Sequence, residues 1–173
     1  MNRIMISAAA FAAAALVGYF GAQALIPRVI MGAATKGVAA RGSFNAMAYG
    51  KLATPDNQPI VRPSPDLAYS TCAFDLANGP VRINVVPVPD RYSSLSVFDA
   101  QTDVVFVRND IQAGGKPYSI ILARDDQTAP PGGEVVRMKY DRGIALIRLL
   151  LANPAEIDGL DAVRRQSTCA AVS

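Results

Sequence analysis

From Ile4 to Ile26 the chain carries no charged side chain, and Ser7 and Gln23 are the only strongly polar interruptions. Arg3 precedes this run and Pro27-Arg28 follows it. A helix rises about 1.5 Å per residue, so about 20 apolar residues cross the hydrocarbon core of a bilayer. A core helix of a water-soluble domain would keep a polar face at this length, and this segment has none. The run therefore predicts a signal-anchor helix over residues 1–28, with residues 4–26 in the lipid bilayer. Ala22-Gln23-Ala24 also has the small-x-small form of a signal-peptidase site, so cleavage after Ala24 is the alternative fate. The run exceeds the usual length of a signal h-region, and Pro27 lies just beyond the site; both point to retention.

Residues 29–51 mix alanine and glycine with occasional large apolar side chains. They read as a juxtamembrane helical segment: the tail of the span, then a helix around Phe44–Tyr49. Pro55, Pro59, Pro63 and Pro65 exclude a helix between Leu52 and Asp66. The apolar pair Ile60-Val61 makes that stretch a strap laid over a domain rather than a free linker. Strand signals then follow in quick succession. Ala68–Leu76 ends at the Asn78-Gly79-Pro80 turn signal, and Val81–Val85 alternates apolar and polar residues with period two. Tyr92–Phe98 and Val104–Val107 come next, then Tyr118–Ala123 after a Gly114-Gly115 loop and Glu134–Tyr140 after Pro130-Pro131-Gly132-Gly133. Ile144–Leu151 has the length of a short helix, but its place in the series makes it a strand. Pro154, at a first helical position, opens a short helix that reaches about Gln166. The expected fold is mainly β: an antiparallel β-sandwich or open barrel over residues 52–173 with short flanking helices, preceded by one transmembrane helix.

Charge and composition narrow the function. Beyond Arg3 there are 16 basic and 14 acidic side chains, too balanced for a nucleic-acid interface. The only adjacent basic pair, Arg164-Arg165, reads as a solvated face. The chain has no Trp and no His. Without His, Ser-His-Asp and Cys-His catalysis and His-containing metal sites are excluded, and no cofactor is indicated. Cys72 and Cys169 are the only cysteines and suggest one disulfide in an oxidising compartment. Flanking charge does not by itself choose an orientation, since Arg28, Lys36 and Arg41 follow the span. The three-residue N-terminal tail favours a cytoplasmic N-terminus. The expectation is a single-pass inner-membrane protein with its C-terminal domain in the periplasm.

Two blocks carry a family resemblance. Residues 62–84 read R-P-S-P-D-L-A-Y-S-T-C-A-F-D-L-A-N-G-P-V-R-I-N, and P-D-R-Y-S-S-L-S-V-F-D-A-Q-T-D follows at 89–103; R-G-I-A-L-I-R at 142–148 adds to them. The chain resembles the family catalogued as domain of unknown function 1254, in its short membrane-anchored bacterial form, from about Asn45 to Cys169. The resemblance implies a β-rich exported domain and a protein partner from the companion family of unknown function 1214. The matching polar residues are Arg62, Asp66, Tyr69, Asp75, Arg91, Tyr92, Asp99 and Asp103. In one reading, Arg62 or Arg91 grips an anion or carbonyl oxygen beside Tyr69 and Tyr92, while Asp66 and Asp99 act as an acid/base pair. In the other, the aspartates cap turns and Arg91 pairs internally to pin the strap. Asp99 and Asp103 lack the spacing of a calcium loop, so no metal site is indicated. Three functions stay open: a non-catalytic accessory protein that packs against a partner, a binding module for a small lipid or glycan, and a carboxylate-based enzyme.

Overall fold

The apolar run forms the first part of one long helix, α1 (Arg3–Ala39), in a computed structural model that describes residues 3–56 and 63–172. Nine strands follow among the described residues. They are β1 (Ala48–Tyr49), β2 (Leu67–Asp75), β3 (Val81–Val85), β4 (Ser93–Phe98) and β5 (Val104–Asn109), then β6 (Tyr118–Arg124), β7 (Glu134–Met138), β8 (Arg142–Leu150) and β9 (Thr168–Ala171). A 3₁₀ turn (Pro154–Glu156) and helix α2 (Ile157–Arg164) lie between β8 and β9. One sheet has the order β1-β2-β8-β4-β5 and the other β7-β6-β3-β9.

The period-two pattern builds the core. Along β8, buried and half-buried residues alternate over most of the strand, and β3 does the same. Cys72, Phe74, Leu95, Val97 and Ile147 from the first sheet meet Val81, Ile83, Ile120, Leu122 and Met138 from the second. The Cys72–Cys169 disulfide joins β2 to β9 across this layer. A smaller cluster, Ala68, Val88, Leu149 and Leu151 with Leu52, Ile157, Leu160 and Val163, seats α2 against one end of the sandwich. Asn153 caps the turn before α2, its side chain accepting from the Ala155 N–H at 3.0 Å. The mainly β expectation with one N-terminal helix is borne out.

Several elements differ from the sequence reading. The tail of the span expected beyond residue 28 is one helix with it, continuous through Pro27 to Ala39. Its last turns pack on β2 and β8, burying Met31 and Thr35. The Thr35 hydroxyl donates back to the carbonyls of Met31 (3.0 Å) and Gly32 (3.1 Å), so it enters the contact satisfied. No helix forms around Phe44–Tyr49. Asn45 sits at φ 58°, and its amide donates to the Asp75 carbonyl (2.9 Å) while its side-chain oxygen accepts the Asp75 N–H (2.7 Å). That side chain imitates a strand backbone, and β1 then pairs with β2; an edge pairing outweighs weak helix propensity. β6 and β7 are parallel, the exception in a set of otherwise antiparallel pairs. Residues 125–133 return the chain to the start of β6, and Gly133 approaches so closely that a Cβ there would lie 3.0 Å from the Ser119 carbonyl oxygen. Arg137 then donates to the carbonyls of Arg124 (2.6 Å) and Gln127 (2.8 Å). Part of the expected strap, including Ile60-Val61, lies outside the described residues.

Candidate functional site

The polar residues singled out from the sequence are spread over the domain. Arg62 lies outside the described residues. Tyr69, on β2, uses its hydroxyl to accept the Ser64 N–H at 3.0 Å. Asp66 is exposed and holds Leu151 through its backbone carbonyl at 2.9 Å. Asp75 accepts from the Ala77 N–H (3.0 Å) and from Arg142 (2.8 Å). Arg91 forks onto both carboxylate oxygens of Glu156 at 3.3 and 3.1 Å, tying the loop before β4 to the turn before α2. Tyr92 is 44% exposed.

Asp99 is 5% exposed, and one carboxylate oxygen accepts the N–H groups of Gln101 (2.7 Å) and Asp103 (3.1 Å). It thereby shapes the β4–β5 turn, in which Thr102 adopts φ 71°; Asp103 itself is exposed. Tyr69 and Arg91 hold the two ends of connecting segments, and Asp99 holds a turn at the opposite end of β4. Among the described residues no three acidic or cysteine side chains gather as a metal would require.

A cleft of about 630 Å³ opens at the α2 end. Its walls are Tyr49-Gly50-Lys51-Leu52 on one side and Ile157, Asp158, Asp161, Arg164 and Arg165 on the other. None of the residues named above lines it. Arg164 is 5% exposed, and its charge is fully engaged. One terminal nitrogen donates to the carbonyls of Tyr69 (3.0 Å) and Gly50 (3.2 Å). Its Nε donates to Asp161 at 2.8 Å, and its other terminal nitrogen also meets that carboxylate. Arg165 pairs with the second Asp161 oxygen and stacks over the Tyr49 ring, 4.9 Å from its centre. The Tyr49 hydroxyl donates toward the carbonyls of Arg165 and Ser167. Burial pushes the Tyr49 hydroxyl pKa up, and the nearby Arg165 and Arg164 only partly offset it. For Asp161, burial pulls upward, but hydrogen bonds from Arg165 and Arg164 and their charges prevail and hold the carboxyl below its usual range.

Chemically this is a clamp. A guanidinium with a hydrogen bond on each of its three nitrogens closes the β1 edge onto α2, leaving Lys51, Arg165 and Asp158 facing solvent. The pair Arg164-Arg165 is thus one buried and one exposed residue, not a uniformly solvated face. The spacing Asp161-x-x-Arg164-Arg165, which places both arginines one turn from the acid, was the available signal.

The model of the family described as "Protein of unknown function (DUF1254)" matches residues 44–171. Two solved structures share the fold. The VPA0106 protein of Vibrio parahaemolyticus is 20% identical with a TM-score of 0.57, covering 62% of this chain and 28% of that one. An uncharacterised Burkholderia cenocepacia protein is 15% identical with a TM-score of 0.50, covering 80% of this chain and 39% of that one. The chain therefore corresponds to little more than a third of either neighbour at most. No curated relative matches the chain.

Proposed function

We propose, for a chain that belongs to the DUF1254 family of proteins of unknown function, the role of a membrane-tethered, non-catalytic accessory domain. In this reading α1 spans the inner membrane, the β-sandwich lies in the periplasm, and the sandwich packs against a companion protein of the family numbered 1214. The observation that carries the tether is α1 itself. It is long and apolar enough to cross a membrane, and its large apolar side chains, Phe11, Leu16, Val17 and Phe20 among them, are not buried by the domain. The disulfide supports an oxidising compartment. A companion is what the family resemblance implies. Exposed apolar side chains at the end of the sandwich away from the β4–β5 turn also support it, namely Tyr92, Leu150 and Ile111, the last 78% exposed.

Export and tethering are tested together by protease treatment of spheroplasts followed by carbonate washing. The domain is expected to be cleaved from outside and the intact chain to stay with the membrane; release by carbonate, or protection until lysis, contradicts the reading. Packing is tested by isolating the tagged protein from gently solubilised membranes. A companion should co-purify, and Ile111→Asp with Tyr92→Asp should reduce its recovery. Recovery of a partnerless monomer from native membranes argues against the accessory role.

A further inference from the structure

The way α1 joins the sandwich fixes more than a tether. A signal-anchor commonly leads into a flexible linker, which leaves the domain free to tumble. Here the helix is continuous from Arg3 to Ala39, and Met31 and Thr35 are already buried against the domain. The apolar run ends at Ile26, so only about one helical turn separates the hydrocarbon edge from the first buried contact. That turn contains Pro27, and the helix runs through it without a break.

One corner of the sandwich meets the stretch of α1 just beyond the apolar run. Burial pulls the Tyr140 hydroxyl pKa up, but hydrogen bonding from Arg28, two residues beyond the apolar run, and from Gln101 outweighs it and holds the pKa below the usual tyrosine value. The Gln101 side-chain amide meets the same hydroxyl. Tyr140 lies between β7 and β8, and Gln101 in the turn between β4 and β5. Val104 begins β5 three residues after Gln101 and is 54% exposed. Lys139 sits over the Tyr140 ring at 5.4 Å, and Arg142 stacks on Phe44 at 5.1 Å. The corner thus combines a tyrosine, an exposed valine and basic side chains with two exposed acids, Asp103 and Asp141, the latter paired with Arg124 at 2.9 Å. Tyrosine with lysine or arginine suits the layer where headgroup phosphate meets hydrocarbon. That layer is about 5–8 Å thick on each side, comparable to the reach of one arginine side chain from the helix end.

We propose that the sandwich lies flush against the bilayer, with the corner formed by Gln101, Val104, Lys139 and Tyr140 in the headgroup layer and α2 with its cleft held away from the membrane. The inference rests on the reading of α1 as a membrane span. It assigns an orientation as well as a location: the Tyr49–Arg165 cleft faces outward, where a partner can reach it.

The chain has no Trp, so single tryptophans report depth without background. Full-length Phe11→Trp, Val104→Trp and Ala162→Trp would be reconstituted into phosphatidylethanolamine/phosphatidylglycerol vesicles carrying lipids spin-labelled near the headgroup or deep in the chains. Val104 and Ala162 are both exposed, so neither change disturbs the core. The span predicts strong quenching of Phe11→Trp by the deep label. The docked corner predicts that the shallow label quenches Val104→Trp at least about twofold more than Ala162→Trp. Equal quenching of the two domain positions, with Phe11→Trp still quenched, overturns the orientation and leaves the span standing. Loss of deep quenching at Phe11→Trp removes the span, and the orientation with it.

Discussion

A Cβ on Gly143 would lie 2.1 Å from the Phe98 carbonyl oxygen and 2.5 Å from the Phe74 ring. Both neighbours are fixed, one by the β4–β8 ladder and the other by the core. Gly143→Ala is therefore expected to destabilise the domain by about 2–3 kcal/mol, at the upper end for overpacking, measured as a lower denaturant midpoint. A midpoint within error of the parent would mean that β8 can shift. Ser70 presents the opposite case: its hydroxyl is buried and has no hydrogen-bond partner among the described residues. Removing an unsatisfied buried hydroxyl relieves a desolvation cost, so Ser70→Ala should leave the midpoint unchanged or raise it, by up to about 1 kcal/mol. A clear loss of stability would reveal a partner for that oxygen. Residue type showed where polar groups occur, but not which atoms they use. Asp99 and Asp75 spend their oxygens on nearby N–H groups or on Arg142, and Tyr69 on a backbone N–H five residues back. Such local partners leave no signature that separates them from a binding site.

Strands with a strong alternation, β3 and β8 above all, were legible because period two maps directly onto one buried face. β1 and β9 were not. Two and four residues are too few to show a period, and both form by pairing with distant strands, β2 and β3. The parallel direction of β7 was likewise hidden, since it depends on the path of residues 125–133 and not on β7's own sequence. α2 was legible from Pro154, but its function as a clamp was not, because the acceptors of Arg164 lie at Gly50 and Tyr69. This clamp gives α2 a pH dependence. Asp161 has a folded pKa below that of the unfolded chain. Its contribution is thus fully present above the ordinary aspartate value and is lost as pH falls through the folded one. Asp161→Asn leaves Arg164 buried beside a neutral amide, a cost of about 2 kcal/mol at neutral pH once the partial exposure of Asp161 is allowed for. The stability gap between parent and variant should narrow as pH drops from 6 toward 2. A gap that stays constant over that range would show that shape, and not charge, holds the clamp.

At the scale of the whole molecule, two connections work across the order of the chain. α1 brings residues 31–39 onto β2 and β8, and the disulfide brings the C-terminal strand to the same β2 from the opposite face. β9 lies at the edge of its sheet, where β3 is the strand it pairs with. The bond closes a loop with a sequence separation of 97, for which the chain-entropy account gives a stabilisation of about 4–5 kcal/mol, with measured values often lower. Cys169 is at an edge and Cys72 is wholly buried, so a single Cys169→Ala change removes the bond while leaving a small thiol in the core. That variant should melt lower by about 10 °C or more for a domain of this size. Reductant should lower the parent by a similar amount and leave the variant unmoved. The pairing of β9 with β3 should loosen before the rest, seen as faster amide exchange at residues 168–171 while β2 and β8 stay protected. If the parent melts at the same temperature with and without reductant, the cross-link adds nothing to the folded domain. β9 would then be held by its ladder and by the hydrogen bonds around it, among them Tyr49 to the Ser167 carbonyl, the Val86 N–H to the Ser167 hydroxyl and the Val172 N–H to the Pro80 carbonyl.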